Sequence, residues 1–188
     1  LKEESFHLGT GSNGLRRIIK AGVIPLDMLQ RYINKWVSTA HDLFGVDASS
    51  SAHWAYVWGI KGRWDERKKL DSGIEVNKET LNEESRGHYH DEIVFEVEKF
   101  SKYLPEGSAK LYVPHENFNR DIGSAKGQRF TTDGDAFVGS DEDWENYLYE
   151  VLPREQDEED LKELFKQEWI ANKPMSARQI ESRIGASI

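Results

Sequence analysis

Glu4 and His7 stand three residues apart in the opening stretch Leu1-Lys2-Glu3-Glu4-Ser5-Phe6-His7. On a helix that spacing brings a carboxylate and an imidazole onto one face, about one turn apart. Both groups are ligands for iron and other first-row metals. Di-iron sites inside four-helix bundles take a Glu-x-x-His from each of two helices and a single Glu from each of two more. The sequence holds one Glu-x-x-His. Glu4 and His7 are therefore half of such a site at most, and the other ligands must come from elsewhere.

Other histidine pairings have plainer explanations. Glu84, His88 and Glu92 recur at four-residue spacing, but Gly87 interrupts them on an otherwise charged face, as in surface ion pairing. His88 and His90, two apart, do not share a helix face. His41 falls in the last turn of a helix, where a cation is favoured by the helix dipole. Asp133-Gly134-Asp135 resembles a calcium loop, yet Arg129 and Ser140 would occupy positions that need acids. The Gly-x-Gly at Gly9 and Gly11 lacks the preceding strand of a dinucleotide fingerprint.

Composition narrows the field further. The 188 residues include no cysteine, which excludes disulfides, zinc ribbons, thiolate nucleophiles and iron–sulfur ligation and fits a reducing cytoplasm. The formal net charge of -9 argues against nonspecific binding to nucleic acid or anionic membranes. Mean hydropathy is -0.73, and no apolar run approaches the roughly 20 residues of a membrane span. No signal peptide is visible, and the chain opens on a motif-bearing helix at Leu1. It reads as the C-terminal piece of a longer protein.

The elements that must position these residues are mainly helical. Residues 3–21 form a first helix containing Gly9, Gly11 and Gly14, each costing about 0.5–1 kcal/mol against Ala. Either it breaks near Gly9, or it is continuous and buried, the glycines admitting a close neighbour. Gly22 ends it and Pro25 opens the next. That second helix runs to Asp42 with Leu29, Tyr32, Ile33, Trp36, Val37, Ala40, Leu43 and Phe44 as a wide buried face. Ser49, Ser50 and Ser51 can cap a third helix around His53, Trp54, Tyr56 and Trp58, apolar nearly all round and hence buried. Residues 70–78 form a loop, and a long helix runs from Thr80 to about Tyr103. Residues 110–113 alternate like a short strand, and residues 129–138 suggest a small hairpin. Ser140 with Asp143 caps a helix that Pro153 ends. A short acidic helix spans residues 158–167, Trp169-Ile170 is a docking anchor, and residues 172–188 form a polar arm. Two parts result: residues 1–104, a helical bundle portion, and residues 105–188, an extension of short helices, loops and an extended or hairpin segment.

Several stretches, in order, resemble one family. Glu3-Glu4-x-x-His7 with its following Gly and basic helix is similar to the second iron-binding helix of the oxygenase component of aerobic benzoyl-CoA epoxidase. More distantly it resembles the catalytic subunit of phenylacetyl-CoA epoxidase, an enzyme of phenylacetic acid degradation. The likeness continues through Val23-Ile24-Pro25-Leu26, Asp42-Leu43-Phe44-Gly45 and Gly59-Ile60-Lys61-Gly62-Arg63. Further on come Pro114-His115, Phe118, Arg120-Asp121-Ile122-Gly123, Thr132-Asp133-Gly134 and Trp169-Ile170-Ala171.

The resemblance implies the C-terminal part of a ferritin-like bundle holding two irons. It implies a monooxygenase of aromatic catabolism that uses O2 to epoxidise the ring of an aryl-CoA thioester. Its electrons come from NADPH through a separate flavin and iron–sulfur reductase. Carried over, Glu4 and His7 are iron ligands, and Glu3 points elsewhere. Arg16, Arg17, Lys61 and Arg63 are candidates for the CoA phosphates. Asp42 and His53 lie in motif stretches with no assigned role. Residues 50–56 depart from the benzoyl-CoA pattern in being bulkier and more aromatic. Two other readings stand beside this one: a non-catalytic scaffold subunit of the same superfamily, and a plain helical binding domain with Glu4 and His7 on its surface.

Overall fold

The computed structural model describes residues 2–46, 49–58 and 81–166. The expected loop at 70–78, the anchor at Trp169-Ile170 and the arm at 172–188 lie outside these residues. The described elements are helices: α1 (Lys2–Ala21), α2 (Leu26–Asp42), α3 (Ser50–Val57), α4 (Leu81–Ser101), α5 (Asp141–Val151) and α6 (Glu155–Phe165). The protein is mainly α. The chain divides into two compact units, Leu1–Leu152 and Pro153–Ile188.

In the first unit α1 packs on α4, and α2 on α5. Their common apolar core gathers Ile19 from α1, Leu29 from α2, Val97 and Phe100 from α4, and Leu111. Ile33, Ile93, Tyr103 and Val113 pack around it. α1 is continuous through Gly9, Gly11 and Gly14, so the expected break at Gly9 does not occur. Among the described residues no neighbour approaches these glycines, a Cβ at any of the three touching nothing within 4 Å. Phe6 and Leu8 on the same helix are exposed. Gly22 ends α1 in the left-handed region (φ 62°), its N–H donating to Ile18 and Ile19 carbonyls.

α2 forms where its periodicity puts it, but its buried face is rotated from the expected apolar one. Trp36 and Leu43 are exposed, whereas Arg31, Asn34, Ser38 and His41 are buried. Those four follow helical spacing and make a buried polar stripe, which is stable because most of its groups are paired. Arg31 Nη1 donates to Asp27 Oδ2 at 2.8 Å, holding the Asp27 carboxyl below its usual range. Asn34 Nδ2 donates to the Val151 carbonyl at the end of α5, at 2.9 Å. Gln30 Nε2 donates both to Asn34 Oδ1 (2.8 Å) and to the Tyr112 carbonyl (2.9 Å). A second correction concerns α3, whose expected burial fails: His53, Trp54 and Trp58 are exposed. Trp54 and Trp58 cover each other instead, ring centroids 5.8 Å apart.

Among the described residues there is no strand. Residues 110–113 form no ladder, and the expected hairpin at 129–138 reduces to an isolated antiparallel bridge between Phe130 and Ala136. The turn between them places Gly134 (φ 93°) over the His115 imidazole, and a Cβ there would meet His115 Cδ2 at 2.5 Å. His115 is itself fixed, its N–H donating to the Thr132 carbonyl and its Nδ1 accepting from Asn117 N–H. α5 begins in the expected capping box: Asp143 N–H donates to Ser140 Oγ (3.1 Å), and Ser140 N–H to Asp143 Oδ2 (2.8 Å).

In the second unit α6 starts one turn earlier than its acidic pattern suggests. Asp157 Oδ2 accepts from Arg154 N–H at 3.0 Å and so caps the helix from within.

The two kinds of glycine separate cleanly in a stability measurement. Gly9→Ala adds helix propensity in open space and should raise stability by about 0.5–1 kcal/mol. Gly134→Ala forces both a left-handed Cβ and a clash with a fixed ring, and should lower it by about 2 kcal/mol or more. Urea unfolding followed by circular dichroism reads both; equal effects of the two substitutions would contradict the packing described.

Candidate functional site

Glu4 and His7 both lie in α1, so their backbone spacing sets them one turn apart on one helix face, as the motif requires. The His7 side chain is exposed, its ring 6.2 Å from that of Phe6. Imidazole and carboxylate suit iron. Two donors from one helix nevertheless fall well short of a di-iron ligand set. Among the described residues no three His, Asp or Glu side chains come together to hold a metal ion. These residues by themselves do not fit two irons.

Of the cations proposed for phosphate, Arg16 and Arg17 fall among the described residues. Arg16 lies near the end of α1 with its guanidinium 5.3 Å from the centre of the Tyr103 ring, and Lys20 reaches the same ring at 4.7 Å. Its Nε is buried without a hydrogen-bond partner among the described residues. Arg17 is exposed. Lys61 and Arg63 lie outside the described residues.

A different cluster is assembled around the C-terminal end of α2. His41, expected as a last-turn cation, is fully buried between α2 and α4, and this overturns that expectation. Its ring meets Tyr89 edge-on at 5.9 Å and His90 at 5.4 Å. Neither ring nitrogen of His41, nor Nδ1 of His90, has a hydrogen-bond partner among the described residues. Burial is the main cause that pushes the His41 pKa down to about 3, with His90, Arg120 and Arg86 adding to it and Asp42 opposing. The imidazole is neutral at every ordinary pH. Burial likewise raises the Tyr89 hydroxyl pKa above its ordinary value. Beside this group an open hollow of about 310 Å³ is lined by Ala40, Leu43, Phe44 and Tyr89.

Asp42, adjacent in sequence, anchors the distant loop. Its Oδ1 accepts from Arg120 Nε in a buried ion pair, and its Oδ2 accepts from Asp121 N–H at 2.9 Å. The other guanidinium nitrogens of Arg120 donate to the Glu116 and Ile122 carbonyls at 3.0 and 3.2 Å. Arg86 of α4 pairs with Glu116 at 3.1 Å. Two collinear motif stretches, Asp42-Leu43-Phe44-Gly45 and Arg120-Asp121-Ile122-Gly123, are thus the two halves of one contact. Sequence reasoning named both stretches and missed the pairing, because 78 residues separate the partners.

No protein-family model matches the chain. The chain is similar to "Benzoyl-CoA oxygenase component B" from Aromatoleum evansii, 27% identical over a 198-residue alignment. That alignment covers 84% of this chain and 41% of the relative. The chain therefore spans about two fifths of the relative's length. A distant relationship is what this level of identity supports. Among the described residues no helix is long and apolar enough to cross a membrane.

Burial of a neutral His41 has a pH consequence of fixed sign. Its folded pKa lies below the ordinary 6.5, so its contribution is intact above that value and is lost as pH falls towards about 3. Each pH unit within that window should cost about 1.4 kcal/mol of stability from this group alone. Replacing it, as His41→Leu, should flatten the acid limb of stability against pH, measured by urea unfolding at a series of pH values. An NMR titration placing the His41 imidazole near 6.5 in the folded protein would contradict the burial described.

Proposed function

We propose that this chain is the C-terminal part of a di-iron monooxygenase that epoxidises the aromatic ring of an aryl-CoA thioester, benzoyl-CoA or a close analogue. The similarity to a benzoyl-CoA oxygenase component, extending over 84% of the chain, is the observation that carries this reading. The Glu-x-x-His on α1 supports it, because that motif is one helix's contribution to a carboxylate-bridged iron pair. In this reading the bundle is ferritin-like, and Glu4 and His7 join ligands from polypeptide beyond these 188 residues. The iron, when bound, supplies the activation of O2. A reductase bearing flavin and iron–sulfur centres brings electrons from NADPH.

What the chain's own residues contribute is placement. α1 presents Glu4 and His7 on one face, and its far end is held against α4 by Ile19 and by Arg16 and Lys20 on the Tyr103 ring. Arg16 and Arg17, with Lys61 and Arg63, remain the candidates for CoA phosphates, where point charges and forked donors suit the ligand.

The test uses the full-length protein. Purified under iron-replete conditions, it should carry roughly two irons per chain. With its reductase, NADPH and benzoyl-CoA it should consume O2. Glu4→Ala and His7→Ala should each lower bound iron and abolish coupled O2 uptake while leaving the helical circular dichroism spectrum intact. Tight binding of two irons by the 188-residue chain alone would overturn the assignment of outside ligands. Failure of every aryl-CoA to stimulate O2 uptake by the iron-loaded protein would remove the substrate class and favour a scaffold subunit.

A further inference from the structure

An open groove of about 710 Å³ lies between the second half of α4 and the segment that follows it. Its size is within the roughly 300–1,000 Å³ of specific ligand sites. From α4 come Val94, Val97 and Ser101, at the three- and four-residue spacing of one helix face, with Lys102 just beyond the helix end. From the following segment come Lys110 and Val113. Both walls are fixed. Val97 belongs to the apolar core, and Gln30 of α2 holds the Tyr112 main chain through two hydrogen bonds of 2.9 Å.

The polarity of this lining is graded. Along α4 the valines come first and the polar residues last, with about 12 Å of helix between Val94 and Lys102. The chain then turns through residues 103–109 and rejoins the groove at Lys110. The two lysines are therefore the ends of one loop, and Val94 and Val113 lie away from it. The groove is cationic at its loop end and apolar beyond.

Lys102 and Lys110 are exposed and form no ion pair among the described residues. Glu98, the carboxylate of the lining, pairs with neither of them. Two lysines against one glutamate leave a net positive charge here, in a chain whose formal net charge is -9.

We propose that this groove binds a single-chain anionic amphiphile, a medium-chain fatty acid. Its carboxylate lies at Lys102 and Lys110, with the Ser101 hydroxyl as a further donor. Its alkyl chain runs along α4 towards Val94. A monocarboxylate balances the charge of the lining, whereas a phosphate dianion would leave an excess. Apolar burial supplies the affinity, and the lysines set the orientation and select the charge. The proposal goes beyond the oxygenase reading and does not depend on it.

The test titrates the full chain with sodium decanoate below its micelle threshold, followed by calorimetry and by methyl NMR. Binding should saturate, with the Val94, Val97 and Val113 methyl signals moving together. Octanoate, two methylenes shorter, should bind about tenfold more weakly. Decyltrimethylammonium should bind the groove about tenfold or more weakly than decanoate, although the chain as a whole is acidic. Joint substitution Lys102→Glu and Lys110→Glu, remote from Glu4 and His7, should reverse that preference with the circular dichroism spectrum unchanged. Decyltrimethylammonium binding the unaltered chain as tightly as decanoate would overturn the proposal, whatever the variant does. So would methyl shifts confined to residues outside the groove, or saturable binding of a valine–glutamate peptide by a groove that decanoate does not enter.

Discussion

The buried ion pair between Asp42 and Arg120 is the constraint on which the first unit depends. Its two charges come from the end of α2 and from a loop 78 residues later. Neither is left with only the other. Asp42 also accepts a main-chain N–H, and Arg120 also donates to two carbonyls of its own loop. Desolvating two charges is costly, and a buried pair of this kind adds little net stability over an apolar substitute. Its effect is selective. Removing one partner strands the other in the interior at a cost of about 3–5 kcal/mol, so alternative placements of the loop are penalised by that order. Arg86 extends the same logic by tying α4 to Glu116 of that loop. The loop that carries Glu116 and Arg120 is thereby tied to both α2 and α4.

The polar stripe on α2 has a related role. Arg31, Asn34, Ser38 and His41 occupy positions that an apolar helix would fill with leucine or valine. Asn34 and Gln30 form a relay from the Val151 carbonyl to the Tyr112 main chain, which fixes the register of three segments at once. A connected polar network of this kind specifies one arrangement, because a shifted one leaves buried donors unpaired. His41 differs. Its ring nitrogens lack such partners among the described residues, and its surroundings are aromatic and cationic. The protein accommodates it as a neutral ring.

Helix existence was legible in the sequence, and helix orientation was less so. α1, α2, α4 and α5 fall where periodicity, Gly22, Pro25 and the Ser140 capping box place them. Hydrophobicity misassigned the buried face of α2, because burial there was decided by pairing: Trp36 faces outward and Asn34 inward. The same rule overstated α3, an aromatic helix whose rings shield one another without a core. Strand-like alternation in residues 110–113 has no strand to match it among the described residues, where α2 meets Tyr112 with only a side-chain amide. For the candidate site, spacing alone located Glu4 and His7 on one helix face. The cluster of His41, Tyr89 and His90 was invisible, since its members come from two helices and their nearness is a tertiary fact.

The run of glycines in α1 has a thermodynamic consequence for that pair. Gly9, Gly11 and Gly14 lie just beyond His7, and among the described residues no neighbouring group repays the backbone entropy that they lose in the helix. The apolar packing of α1 comes from its far end, at Ile19. Phe6 and Leu8 beside Glu4 and His7 are exposed, so the turns that bear that pair should open more readily than the end packed at Ile19. Whatever ion or protein group engages them must also supply the free energy to hold those turns wound. Ligation and helix formation at this end of the molecule are then a single linked equilibrium, and the measured affinity of the pair will report on both.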